Sequence, residues 1–115
     1  MLAFYQQLLG LEVVRTFDVM ETSGVRLHFL RIGDSHLKIL EMRDPPAASN
    51  PPEGVHGATG FRYFTLWVES LDAVLERVEP AGGRLAAPVM EYGESRVALI
   101  EDPEGNWVEV VQGEP

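Results

Sequence analysis

The chain repeats itself, and that repeat limits its fold more than any single residue does. In the second half, "LDAVLERVEPAGGRL" places Leu71, Val74, Leu75 and Val78 at i, i+3, i+4 and i+7, the apolar stripe of one helix. Ser70 is a suitable N-cap with Asp72 in the first turn, and Gly82 with Gly83 is expected to end the helix. Before the helix, "GFRYFTLWV" alternates as a strand, with Phe61, Tyr63, Thr65 and Trp67 on one face and Phe64, Leu66 and Val68 on the other. After it, "RLAAPVMEYGESRVALIEDPEGNWVEVVQ" divides into three strands, the last two joined by a turn in which Pro103 presets φ and Gly105 supplies positive φ. This half reads β-α-β-β-β.

The first half matches from its first residue onward. "LAFYQQLLGLEVV" aligns with the helix and the following strand, "VRLHFL" with "SRVALI", and "GDSHLKILEM" with "EGNWVEVVQ". Arg26 then falls on Arg96, Gly33 and Asp34 on the later turn, and Lys38 opposite Glu109. A counterpart of "GFRYFTLWVESL" is missing, so this half reads α-β-β-β. Nothing in "MLAF" resembles a helix cap. Three explanations stay open: an internal methionine taken as the start, a gap closed by a partner's strand, or a degenerate first module.

The expected organisation is a first module at 1–44, a linker at 45–59 and a second module at 60–115, together one domain. The linker assignment rests on "RDPPAASNPPEGVHGATG", a stretch of Pro, Ala, Ser and Gly without periodicity.

Tandem modules with these strings resemble the vicinal oxygen chelate superfamily, which includes glyoxalase I, bleomycin-resistance proteins, fosfomycin-resistance enzymes and extradiol dioxygenases. The carriers are "AFYQQLLGLEVV", "VESLDAVLERVEPAGG" and, most specifically, "IEDPEGNWVEVVQ". The implied fold is α+β, with tandem βαβββ modules forming a curled mixed sheet around a cavity, here lacking the first strand of module one.

In metal-using members, four side chains on the concave face, from the first and last strand of each module, hold a divalent ion with open positions for substrate oxygens. Carried over position by position, one ligand has no residue, Lys38 stands where a carboxylate is usual, and Tyr63 stands where His is common. Only Glu109 matches. One carboxylate does not hold a divalent ion against water. The expectation is therefore no cofactor, with Ni, Zn, Mn or Fe only if a partner chain or an upstream strand completes the site.

Lys38 is the sole lysine of the chain. Leu37 and Ile39 need the packed face, which leaves Lys38 for the cavity, where its ammonium would stand across from Glu109 in place of a metal. A register shifted by one residue would instead point it to solvent, as for most lysines. Tyr63, Trp67 and Trp107 on the concave face suit a planar or cationic ligand, although a strand aromatic is more often simply core. His36 shares the face of Lys38. His28 and His56 lack a carboxylate at metal-ligand spacing, and Arg62 and Arg96 are expected to be solvated charges.

Composition narrows the partners. Nine basic against 18 acidic residues give a formal charge of −9, which opposes binding to nucleic acid or anionic membrane. With no cysteine there is neither a disulfide nor a thiolate metal site. No apolar run spans a bilayer and no leader is evident, so the expected location is cytoplasmic. No Ser-His-Asp order, phosphate loop or carboxylate pair stands out.

Two functions follow. One is a metal-independent, homodimeric binding protein of the bleomycin-resistance type, taking a cationic or aromatic small molecule. The other is a glyoxalase- or epimerase-type lyase or isomerase with Glu109 as base or ligand. A third, blander possibility is a domain that works only within a larger assembly.

Overall fold

The computed structural model describes residues 1–114. In chain order the elements are α1 (Leu2–Leu9), β1 (Val13–Val19), β2 (Val25–Ile32), β3 (Ser35–Met42), a 3₁₀ turn (Gly54–His56), β4 (Tyr63–Trp67), α2 (Leu71–Val78), β5 (Arg84–Tyr92), β6 (Ser95–Glu101) and β7 (Trp107–Gln112). They fall into two compact units, Met1–Ala48 and the chain from Ser49 onward. This is the mixed α+β order that the repeat implies, with a three-stranded sheet in the first unit and a four-stranded sheet in the second. No helix among the described residues is long and apolar enough to cross a membrane.

In the first unit, Met1 precedes α1 without a side-chain cap, and the helix stops at Gly10, whose left-handed φ of 63° turns the chain so that the Leu11 N–H reaches the Tyr5 carbonyl at 3.4 Å. Phe4, Tyr5 and Leu8 of this helix are buried. The strands follow as an antiparallel meander, β1-β2-β3. A bulge between Val13 and Arg15 shifts the β1 register against β2. Leu30 and His28, both buried, share one face with Leu37 and Ile39, while Phe29, His36 and Lys38 share the other.

The second unit is ordered β4-β7-β6-β5, with β4 parallel to β7 and the other pairs antiparallel. A parallel neighbour requires a crossover, and the connection out of β4 runs through α2. Ser70 caps the helix by accepting from the Ala73 N–H at 3.3 Å. Leu71, Val74 and Val78 are buried, and α2 touches β5, β6 and β7. Leu66, Ala98, Ile100, Val108 and Val110 complete this core, where each large side chain gains roughly 1.5–3 kcal/mol by leaving water. The helix ends at Val78, ahead of the two glycines, and Gly83 N–H bonds back to the Val78 carbonyl.

Asp102 shapes the turn between β6 and β7. Its buried carboxylate accepts from the backbone N–H of Glu104 at 2.9 Å and of Asn106 at 3.0 Å, while Gly105 adopts φ 82°.

Three expectations need correction. Arg96 is not a free solvated charge: its guanidinium grips both oxygens of Asp72 at 3.0 Å, tying β6 to the first turn of α2. Arg62 donates to the Gly54 carbonyl at 3.2 Å, and its Nε is buried without a hydrogen-bond partner among the described residues. Phe61 does not extend β4 with Tyr63; it precedes the strand and is fully exposed. The segment read as a plain linker also makes specific contacts. Asn50 donates to the Glu104 carbonyl at 3.1 Å and to Asn106 Oδ1 at 2.8 Å, partners more than fifty residues away that no local pattern announces.

Candidate functional site

The register of the second sheet assembles the candidate residues. Tyr63 pairs with Trp107, Thr65 with Glu109 and Trp67 with Val111, so one face carries Tyr63, Thr65, Trp67, Trp107 and Glu109. The core lies on the opposite face, with Leu66, Val108 and Val110. Thr65 Oγ1 donates to Glu109 Oε2 at 2.7 Å, which fixes the carboxylate from the neighbouring strand. The other carboxylate oxygen has no hydrogen bond among the described residues, so one acceptor remains for a visiting donor or cation.

The aromatic groups differ in their surroundings. Trp107 is half-buried, and its Nε1 donates to Glu101 Oε2 at 3.1 Å. Arg84 bonds to that same Glu101 oxygen. The indole also lies against the backbone of Gly54, where an added Cβ would come within 2.2 Å of the ring. Trp107 is therefore held from two directions. Tyr63 and Trp67 are 48% and 53% exposed, large apolar surfaces left uncovered beside a fixed carboxylate.

In the first unit, Lys38 and His36 share a face, as alternation predicts. The Lys38 ammonium stands 4.8 Å from the centre of the Phe29 ring, and the His36 ring meets Phe29 edge-on at 5.8 Å. Leu37 and Ile39 occupy the other face with His28.

His28 corrects a further expectation, because it does have a carboxylate neighbour. Its Nε2 lies 3.0 Å from Glu41 Oε2 and its Nδ1 lies 3.0 Å from Thr16 Oγ1. The partners come from β3 and β1 on either side of β2, at separations that only the hairpin registers reveal. A cavity of about 330 Å³ lies nearby in the same unit, lined by Asp18, Met20, Arg26, Glu41, Met42 and Arg43. Within it Asp18 and Arg26 form an ion pair at 2.8 Å. The hydrogen bond, and next the charge, of Arg26 hold the Asp18 carboxyl below its ordinary range.

No three His, Asp or Glu side chains converge among the described residues. Glu109 has a threonine hydroxyl and aromatic rings for neighbours, and a lone carboxylate is a weak holder of a divalent cation.

Comparison with known proteins gives a consistent result. The sequence pattern of the Glyoxalase/Bleomycin resistance protein/Dioxygenase superfamily matches residues 1–110. A lactoylglutathione lyase of Pseudomonas aeruginosa is 28% identical over 96% of this chain and 73% of its own. A probable lactoylglutathione lyase of Synechocystis is 25% identical over 96% of this chain and 83% of its own. Among solved structures, a glyoxalase family protein from Enterococcus faecalis has the same fold, with a TM-score of 0.69 at 23% identity over 95% of this chain and 83% of that one.

Proposed function

Since this chain belongs to the Glyoxalase/Bleomycin resistance protein/Dioxygenase superfamily, we propose that it binds a small planar or cationic molecule without a metal, on the face formed by Tyr63, Trp67, Trp107 and Glu109. The observation that carries this reading is the Thr65–Glu109 hydrogen bond beside two exposed aromatic rings. A carboxylate held by one bond keeps an acceptor for a cation, and exposed Tyr and Trp side chains offer faces for stacking. Such a protein sequesters its ligand in the manner of bleomycin resistance, as a cytoplasmic homodimer.

The two tryptophans of the chain, Trp67 and Trp107, both lie on this face and report on it directly. Titration with proflavine, a planar cation, is expected to quench their emission saturably. Glu109→Gln keeps an acceptor for Thr65 but removes the charge, and is expected to weaken binding about tenfold, a difference of ~1.4 kcal/mol. Unsaturable quenching, or equal affinity in the variant, contradicts the reading.

The second reading is a glyoxalase-type enzyme with Glu109 as general base, favoured by relatives that carry the name lactoylglutathione lyase. It predicts turnover of lactoylglutathione once Ni²⁺, Zn²⁺, Mn²⁺ or Fe²⁺ is added, lost in Glu109→Gln. Lys38 of the first unit, with His36 beside it on the same face of its own sheet, would then offer a positive charge for a substrate oxyanion.

A further inference from the structure

The cavity of about 330 Å³ in the first unit sits at the β1–β2 hairpin. Asp18, Arg26 and Glu41 cross the three strands there as one row, on the face opposite Lys38. The hairpin that walls the cavity is fixed in shape. Ser23 Oγ bonds to the Val19 carbonyl and accepts from the Val25 N–H at 3.2 Å, and the Arg43 N–H ties the end of β3 to the Gly24 carbonyl at 2.9 Å. Met20 is held at φ +50°, the only non-glycine residue with positive φ among the described residues. Its side chain, 75% exposed, lines the cavity together with Met42.

The charged groups around this cavity are only partly matched. Asp18 and Arg26 pair at 2.8 Å, and Glu41 Oε2 meets His28 Nε2 at 3.0 Å. That leaves Glu41 Oε1, the Glu21 carboxylate and the Arg43 guanidinium. Glu21 and Arg43 line the same cavity, yet neither forms an ion pair among the described residues. The Arg43 side chain lies across Gly24 instead, where an added Cβ would stand 3.4 Å from the guanidinium carbon.

These leftovers select the charge of a visitor. A simple anion would meet the carboxylates of Asp18, Glu21 and Glu41, and a simple cation would meet two arginines. A molecule carrying both charges satisfies the unpaired groups of each sign. The two methionines add flexible, polarizable walls that adapt to an aliphatic chain. We propose that this cavity binds a small linear aliphatic zwitterion, its carboxylate on Arg43, its ammonium on Glu21 and the free Glu41 oxygen, and its methylenes against Met20 and Met42. The site uses residues of the first unit alone and does not rest on the Glu109 reading.

The test is an NMR titration of the full ¹⁵N-labelled chain with 6-aminohexanoate, with hexanoate and hexylamine as controls that each carry one charge. Saturable shifts centred on Met20, Glu21, Gly24 and Arg43 are expected, with both controls about tenfold weaker. Arg43→Gln should abolish the preference for 6-aminohexanoate over hexylamine, and Glu21→Gln should narrow the preference over hexanoate. Both side chains are exposed, so the variants should fold, and ligand-free spectra that match the parent away from the substitution verify it. Equal binding of either control would reduce the cavity to a site for a single charge and overturn the proposal. So would absence of saturation, shifts centred on Trp67 and Trp107, or preferences that both variants leave unchanged.

Discussion

Gly54 shows how one residue outside any strand positions the aromatic face. It adopts φ +55°, and a Cβ there would penetrate the Trp107 indole at 2.2 Å. Gly54→Ala must therefore displace the ring and strain the backbone, at a cost of about 1–3 kcal/mol. Thermal melting should show the loss, and the Trp107 emission should shift as its bond to Glu101 is disturbed. The Asp72–Arg96 pair has a different signature. The hydrogen bond from Arg96, and next its charge, lower the Asp72 pKa below the ordinary carboxylate value. A depressed folded-state pKa gives a contribution fully present above the unfolded value, about 4, and lost as pH falls through the lower folded value. Asp72→Asn is accordingly expected to lower the melting temperature slightly at pH 7, with the gap to the parent closing on acidification below about pH 4. A gap that persists there would place the effect elsewhere.

At the scale of elements, α2 was the most legible segment, because its cap, apolar stripe and terminating glycines agree with one another. Ser70→Ala removes the acceptor for the Ala73 N–H and should cost about 1 kcal/mol in denaturant unfolding with an unchanged m-value. The strands were legible by alternation, which also separated Lys38 from Leu37 and Ile39 and placed Tyr63, Trp67 and Glu109 on one face. Alternation says nothing about which strands pair or where a bulge falls. The Thr16–His28–Glu41 cluster was hidden for that reason, since its members lie twelve and thirteen residues apart. The same limit concealed the cavity of the first unit: Asp18, Arg26 and Glu41 align only once β1 and β3 are laid against β2. The contacts of Asn50 and Gly54 had still less signal, because Pro- and Gly-rich segments carry no period from which a distant partner can be read.

At the scale of the whole molecule, the internal repeat was sufficient for the fold, and family membership follows from the match over residues 1–110. Ligand chemistry is a separate matter, because one superfamily fold carries several reactions. The two functional readings differ in the metal donor set that they require. A glyoxalase-type reaction through a divalent ion needs several hard ligands around one point, and Glu109 stands among Thr65, Tyr63 and tryptophans instead. Metal independence is therefore the property that decides between them. The most direct test is elemental analysis of protein purified without chelator, paired with thermal melts in added Ni²⁺, Zn²⁺, Mn²⁺ and Fe²⁺. A metal-independent binding protein should carry metal well below one equivalent and show a melting temperature that none of the four ions raises. A stoichiometric, tightly held ion would contradict it and would point to ligands supplied by another chain or segment.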